Sequence, residues 1–92
     1  MLKSGWVRFY KVKEGQTLEA IAAFFCVSAY LLAERNGLTE EPQAGVLLEI
    51  PSARGNAYTV KPGDTKTLLC GSEEAYNAKN TQVFYYGMRA IL

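Results

Sequence analysis

Tyr10-Lys11-Val12-Lys13-Glu14-Gly15-Gln16-Thr17 returns later in the chain as Tyr58-Thr59-Val60-Lys61-Pro62-Gly63-Asp64-Thr65, displaced by 48 positions. Further on, Cys26, Ser28 and Asn36 match Cys70, Ser72 and Asn80 at a displacement of 44. Gly45 to Ile50 then matches Gly87 to Leu92 at 42. Self-similarity at such a period marks a repeated structural unit. Between the first two matches four residues are missing, about one α-helical turn, which a helix can lose while keeping its faces in phase. The other two go missing between Asn80 and Gly87, where a loop absorbs them.

Each copy reads as strand, helix, helix, strand. In the first, Arg8 to Val12 alternates as a strand, and Glu14-Gly15-Gln16 is a turn. Thr17 is an N-cap and Glu19 suits the positive end of the helix that follows. Leu18, Ile21, Ala22 and Phe25 form one apolar helical stripe. Ser28 caps a second helix, with Val27 and Leu32 placed as a hydrophobic staple. Asn36-Gly37 closes that helix, and Val46 to Ile50 reads as a strand stopped by Pro51. The second copy has strands at Ala57 to Val60 and Met88 to Ile91, a first helix clipped to Lys66 to Cys70, and a second over Glu73 to Lys79. The expected fold is α+β. It comprises tandem βααβ units at residues 8–51 and 57–92, joined by a linker at 52–56, each a two-stranded antiparallel sheet with two helices packed on one face. A unit as short as the second rarely holds alone. It is expected to lean on the first copy or on another chain, in a homo-oligomer, through Trp6 and Phe84-Tyr85-Tyr86.

Composition removes several classes of function. The 92 residues carry ten Lys plus Arg against nine Asp plus Glu, so no basic excess points to nucleic acid. No apolar run approaches the roughly 18 to 20 residues of a membrane span. Histidine is absent and Asp64 is the only aspartate, so imidazole catalysis and a zinc site find no residues; no metal or cofactor is expected. Cys26 and Cys70 read as two buried free thiols rather than a bridge. Glu40-Glu41 and Glu73-Glu74 are not spaced as a catalytic carboxylate pair, and the second pair suits a helix start. Lys11, Lys13, Lys61 and Lys66 either meet acidic groups on a partner or are simply solvated.

The first copy resembles a LysM domain. Tyr10-x-Val12, Gly15-Gln16-Thr17-Leu18, Ile21-Ala22, Phe25, Ser28, Leu32, Asn36-x-Leu38, Gly45, Leu48 and Ile50-Pro51 fill nearly every signature position. Gln16 stands where the family usually has Asp, and Cys26 where it often has a small residue. The second copy resembles a degenerate LysM domain, with Lys66 in place of Leu18 and Tyr76 in place of Leu32.

The resemblance implies a non-catalytic bacterial module that binds N-acetylglucosamine-containing glycans, namely peptidoglycan or chitin-type oligosaccharides. The site it implies lies between the loop before the first helix and the loop after the second. Those residues are Gly15, Gln16, Thr17 and Leu18 on one wall and Asn36, Gly37, Leu38 and Thr39 on the other. A second candidate site takes Gly63, Asp64, Thr65, Thr81 and Gln82. The same residues also have structural duties: Gly15 for the turn, Thr17 as a cap, Leu18 and Leu38 in the core, and Asn36 and Asn80 at helix ends. The chain shows no signal peptide at its N-terminus, so the resemblance leaves two settings. One is the cell wall; the other is an assembly module of a spore-coat or phage-tail structure, with cytoplasmic synthesis and retention.

Overall fold

The computed structural model describes residues 8–92, so Trp6 lies outside the described residues. The element order is β1 (Arg8–Lys11), α1 (Leu18–Phe25), α2 (Ala29–Arg35), β2 (Leu47–Ile50), β3 (Ala57–Thr59), α3 (Lys66–Cys70), α4 (Glu73–Asn80) and β4 (Arg89–Ile91). Strand β1 pairs antiparallel with β2, and β3 with β4. In each copy one more pair of bonds carries the ladder past the strand ends, from Val12 N–H to Val46 O and from Val60 N–H to Met88 O. No helix of the described residues is long and apolar enough to cross a membrane.

Local side chains set every helix start. Thr17, Ser28, Thr65 and Ser72 each accept a hydrogen bond from the backbone N–H three residues on, which satisfies a donor that the helix itself leaves free. The turns before α1 and α3 are braced alike. Gln16 Oε1 accepts from the Tyr10 hydroxyl and from Lys13 N–H, and Asp64 Oδ2 accepts from the Tyr58 hydroxyl and from Lys61 N–H. Gly15 and Gly63 take positive φ in these turns, where a β-carbon is disfavoured.

Each copy has its own core. The first unites Val12, Ile21, Ala22, Val27, Leu32, Leu48 and Ile50, so both strands and both helices face one interior and the Val27–Leu32 staple lies within it. The second is smaller, built on Val60, Tyr76, Met88 and Ala90 with Leu69 and Phe84 packed beside them. Tyr76 fills the place of Leu32 and is fully buried. Its hydroxyl donates to Val83 O at 2.7 Å, which satisfies the one polar atom the substitution brings inside.

The helix shortening is divided differently from a simple lost turn. Helix α1 has eight residues and α3 has five, so three residues leave the helix and the fourth leaves the connection. Two residues, Cys26 and Val27, link α1 to Ser28, whereas Gly71 alone links α3 to Ser72. Cys26 holds the left-handed conformation that closes α1 (φ 60°), and Gly71 holds the corresponding one (φ 90°). Cys26 and Cys70 therefore do not occupy equivalent places. Both thiols are free, with Cys26 exposed and Cys70 half-buried. The expectation of two buried thiols fails outright at Cys26, the exposed residue that closes α1, whereas Cys70, inside α3, packs partly against the second core.

The copies touch through α2 and α4 and through specific bonds. Arg89 Nη1 donates to Val27 O at 2.9 Å, and Gly55 N–H donates to Cys26 O at 3.1 Å. The Tyr30 and Tyr85 hydroxyls share a hydrogen bond of 2.6 Å. Asn56 pairs with Leu92 in both directions, so the segment joining the copies is an extension of the second sheet. Gly55 lies so close to residue 92 that a β-carbon there would collide with Leu92 O.

Candidate functional site

The start of α1 and the loop between α2 and β2 are the walls named from sequence, and a cleft of about 590 Å³ opens beside them. Of the eight first-copy residues, Leu18, Leu38 and Thr39 line it. Leu18 and Leu38 are half-buried, each with one side against the core and the other in the cleft.

The other five do not line it. Gln16 is committed to the turn and Thr17 to the helix cap, accepting from Ala20 N–H. Gly15 and Gly37 supply positive φ at 82° and 63°. The Asn36 side chain is fully engaged: its Nδ2 donates to Leu32 O and Glu49 O, and its Oδ1 accepts from Glu49 N–H. It ties the end of α2 to β2.

Sequence reasoning missed the rest of the lining. Glu41 reaches across the cleft, and its Oε1 accepts from Leu18 N–H at 2.7 Å. This carboxylate meets the positive end of α1 from 23 residues away, joining the two walls. Tyr30 and Ala33 of α2 continue the lining, and Tyr85 and Arg89 come from the second copy. Glu19, Glu40 and Glu41 bring three acidic residues into the lining. The lone cation among the lining residues, Arg89, has its guanidinium on Val27 O. The hydrogen bond shared with Tyr85 raises the pKa of Tyr30, so the Tyr30 hydroxyl keeps its proton at neutral pH.

In the second copy a side chain crosses the corresponding gap. Lys66, in the position of Leu18, spans the gap between its walls: Nζ donates to Asn77 Oδ1 at 2.9 Å and to Gln82 O at 3.1 Å, and lies over the Tyr76 ring. Thr81 and Gln82 line a separate depression with Glu34 and Asn77, away from Gly63, Asp64 and Thr65. The Tyr58 hydroxyl and Lys61 N–H hold the Asp64 carboxyl below its ordinary range, and the bond to Asp64 raises Tyr58 in turn. Asp64 braces a turn, as Gln16 does.

The chain was compared with known proteins. No curated protein matches it. Solved structures similar to it over most of its length include two spore enzymes. The Bacillus cereus spore cortex-lytic enzyme SleL shares 20% identity over 95% of this chain, with a TM-score of 0.47. The Bacillus megaterium QM B1551 spore cortex-lytic enzyme SleL shares 30% over 96%, with a TM-score of 0.48. This chain spans 23% of the length of each. The LysM domain family model matches residues 10–51, from the tyrosine that braces the first turn to the proline that ends β2. Residues 10–51, under half of the chain, are therefore the stretch that is similar to the LysM domain family.

Proposed function

We infer that this chain is a non-catalytic module that attaches to the cell wall by binding the N-acetylglucosamine-containing backbone of peptidoglycan, and that it also takes chitin-type oligosaccharides. The carrying observation is the open cleft beside Leu18, Leu38 and Thr39, in the copy that matches the family. An N-acetyl sugar is neutral, with an amide that needs main-chain partners and a methyl that needs an apolar dent. Leu18 and Leu38 supply the dent. Gly37, beside Leu38, carries no side chain to hold the sugar away from the backbone. The carboxylates of Glu19, Glu40 and Glu41 disfavour acidic stem peptides, so the sugar chain itself is the part recognised. Gly15, Gln16, Thr17 and Asn36 serve by holding the walls in place. Lys66 fills the equivalent gap of the second copy, which supports a single glycan site per chain. None of the comparisons favours an assembly module of spore-coat or phage-tail type.

Titrating isotopically labelled protein with chitooligosaccharides and with muropeptides tests this reading. Amide shifts at residues 14–18 and 36–41 are expected at millimolar ligand, with residues 63–65 unmoved. Silence at both groups of residues would refute it.

A further inference from the structure

We propose that the glycan cleft is a composite of both copies, in which Tyr30 and Tyr85 form an aromatic subsite for a sugar ring beyond those held by the first-copy loops. The proposal rests on the glycan reading above. The cleft does not end at Thr39. It runs along α2 over Ala29 and Ala33, two small residues one turn apart, and reaches Tyr85 in the loop before β4. Its volume of about 590 Å³ falls in the ordinary range for small-molecule sites, about 300 to 1,000 Å³.

The two tyrosines present what a pyranose needs. Tyr30 is 38% exposed and Tyr85 is 50% exposed, so both rings remain open to solvent although they touch. Their rings meet edge to face at 86°, with centroids 6.4 Å apart. A pyranose has an apolar face of C–H groups and a rim of hydroxyls; a tyrosine offers a π face to the first and a hydroxyl to the second. The occupant is neutral, since three acidic residues are in the lining and the Arg89 charge is engaged elsewhere. Continuity with the wall formed by Leu18, Leu38 and Thr39 makes the next unit of the same glycan that occupant.

The subsite is also fixed before any ligand arrives. The bond from Arg89 to Val27 O and that from Gly55 to Cys26 O tie the second copy and its linker to adjacent carbonyls of the first. Tyr85 N–H donates to Met88 Sδ, anchoring the tyrosine to the second core. Binding there orders little, so more of the contact energy appears as affinity. The second copy thus contributes to recognition by completing the first copy's cleft.

The test is calorimetric titration of the full chain with chitooligosaccharides of two to six sugars. Wild-type affinity should rise with length. Tyr85→Ala should weaken hexamer binding about five- to tenfold, the scale of one lost aromatic contact, and leave the dimer within about twofold. Tyr85→Phe, which keeps the ring and so guards against a folding defect, should retain most of the hexamer affinity. Tyr86→Ala, outside the cleft, should behave as wild type. The hexamer should also shift the ring protons of Tyr30 and Tyr85 in the wild-type protein. Wild-type binding with Tyr85→Ala unchanged at every length, or with those ring protons unmoved, overturns the composite cleft alone. No binding of any oligomer by the wild type overturns both it and the glycan reading.

Discussion

Both copies hold their closing strand with an asparagine at the end of the second helix, yet the two asparagines work in different surroundings. Asn36 is half-buried; it bonds Leu32 O and both backbone groups of Glu49. Asn80 is fully buried; it bonds Tyr76 O and both backbone groups of Ile91. The device is the same, but in the first copy water can replace part of what the side chain supplies, and in the second it cannot. The second copy has the smaller core and depends more on satisfied polar groups. Reducing a repeat to a shorter helix and fewer apolar residues thus raises the cost of each polar contact that remains.

The largest effect should come from removing these asparagines. Asn80→Ala leaves the Ile91 N–H and C=O buried without partners and should cost about 3 to 4 kcal/mol, at about 1 to 3 kcal/mol for each orphaned group. Asn36→Ala should cost about 2 kcal/mol or less, because the Glu49 groups are nearer solvent. Denaturant unfolding followed by amide exchange would measure both. The loss of protection should be confined to the second copy for Asn80→Ala. Equal costs in the two copies would break the comparison.

The core tyrosine gives the next contrast. Burial raises the Tyr76 pKa from 10.0 to about 12; Leu32 in the first copy has nothing to titrate. Between those values the unfolded chain has released the proton and the folded chain still holds it. The Tyr76 contribution is therefore fully present below pH 10 and declines as pH rises toward 12. The decline should be about 1 to 2 kcal/mol, discounted for screening. It should appear first in amides near Tyr76 and Val83. Tyr76→Phe should be less stable near neutral pH, having lost the bond to Val83 O, and should lose this part of the alkaline slope. Parallel alkaline losses in wild type and Tyr76→Phe would remove the tyrosine as the cause.

What could be read in advance follows the range of the interactions. Caps, turns and the order of elements depend on residues three to six positions apart, such as Thr17 with Ala20 or Tyr10 with Gln16. These leave signatures in sequence, and the repeat doubled each of them. Leu18, Leu38 and Thr39 were legible as cleft residues only through the family resemblance. Tyr30 and Tyr85 are 55 positions apart, Arg89 and Val27 are 62 apart, and Glu41 reaches Leu18 across 23. The first two depend on how the copies dock and the third on how the first copy's own loop folds back, for which no local pattern codes. The exposed thiol of Cys26 was missed for a related reason: composition reports that cysteines are usually buried, whereas this one closes α1 and is exposed.

That geometry gives the smallest and most direct test, because the copies carry their glycines in complementary places. Gly71 closes α3 where Cys26 closes α1, and Gly37 follows α2 where Thr81 follows α4. Cys26 at φ 60° and Thr81 at φ 67° are the positive-φ residues other than glycine among those described. At Cys26, with ψ 38°, a β-carbon in the left-handed region costs about 1 to 2 kcal/mol; Thr81, with ψ −168°, lies in a region essentially reserved for glycine, at about 1 to 3 kcal/mol. Glycine removes that strain but adds about 0.5 to 1 kcal/mol of chain entropy to be lost on folding. Thr81→Gly also gives up a 3.3 Å bond from Val83 N–H to Oγ1. Each copy given the other's glycine should therefore gain about 0.5 kcal/mol, read as a small rise in denaturant midpoint at unchanged slope. The reverse exchanges, Gly71→Cys and Gly37→Thr, should lose about 1 kcal/mol or more, since they add strain where none exists. If Cys26→Gly or Thr81→Gly instead lowered the midpoint, the side chain there would contribute more than its strain costs, and the exchange of glycines between the copies would not be one of strain alone.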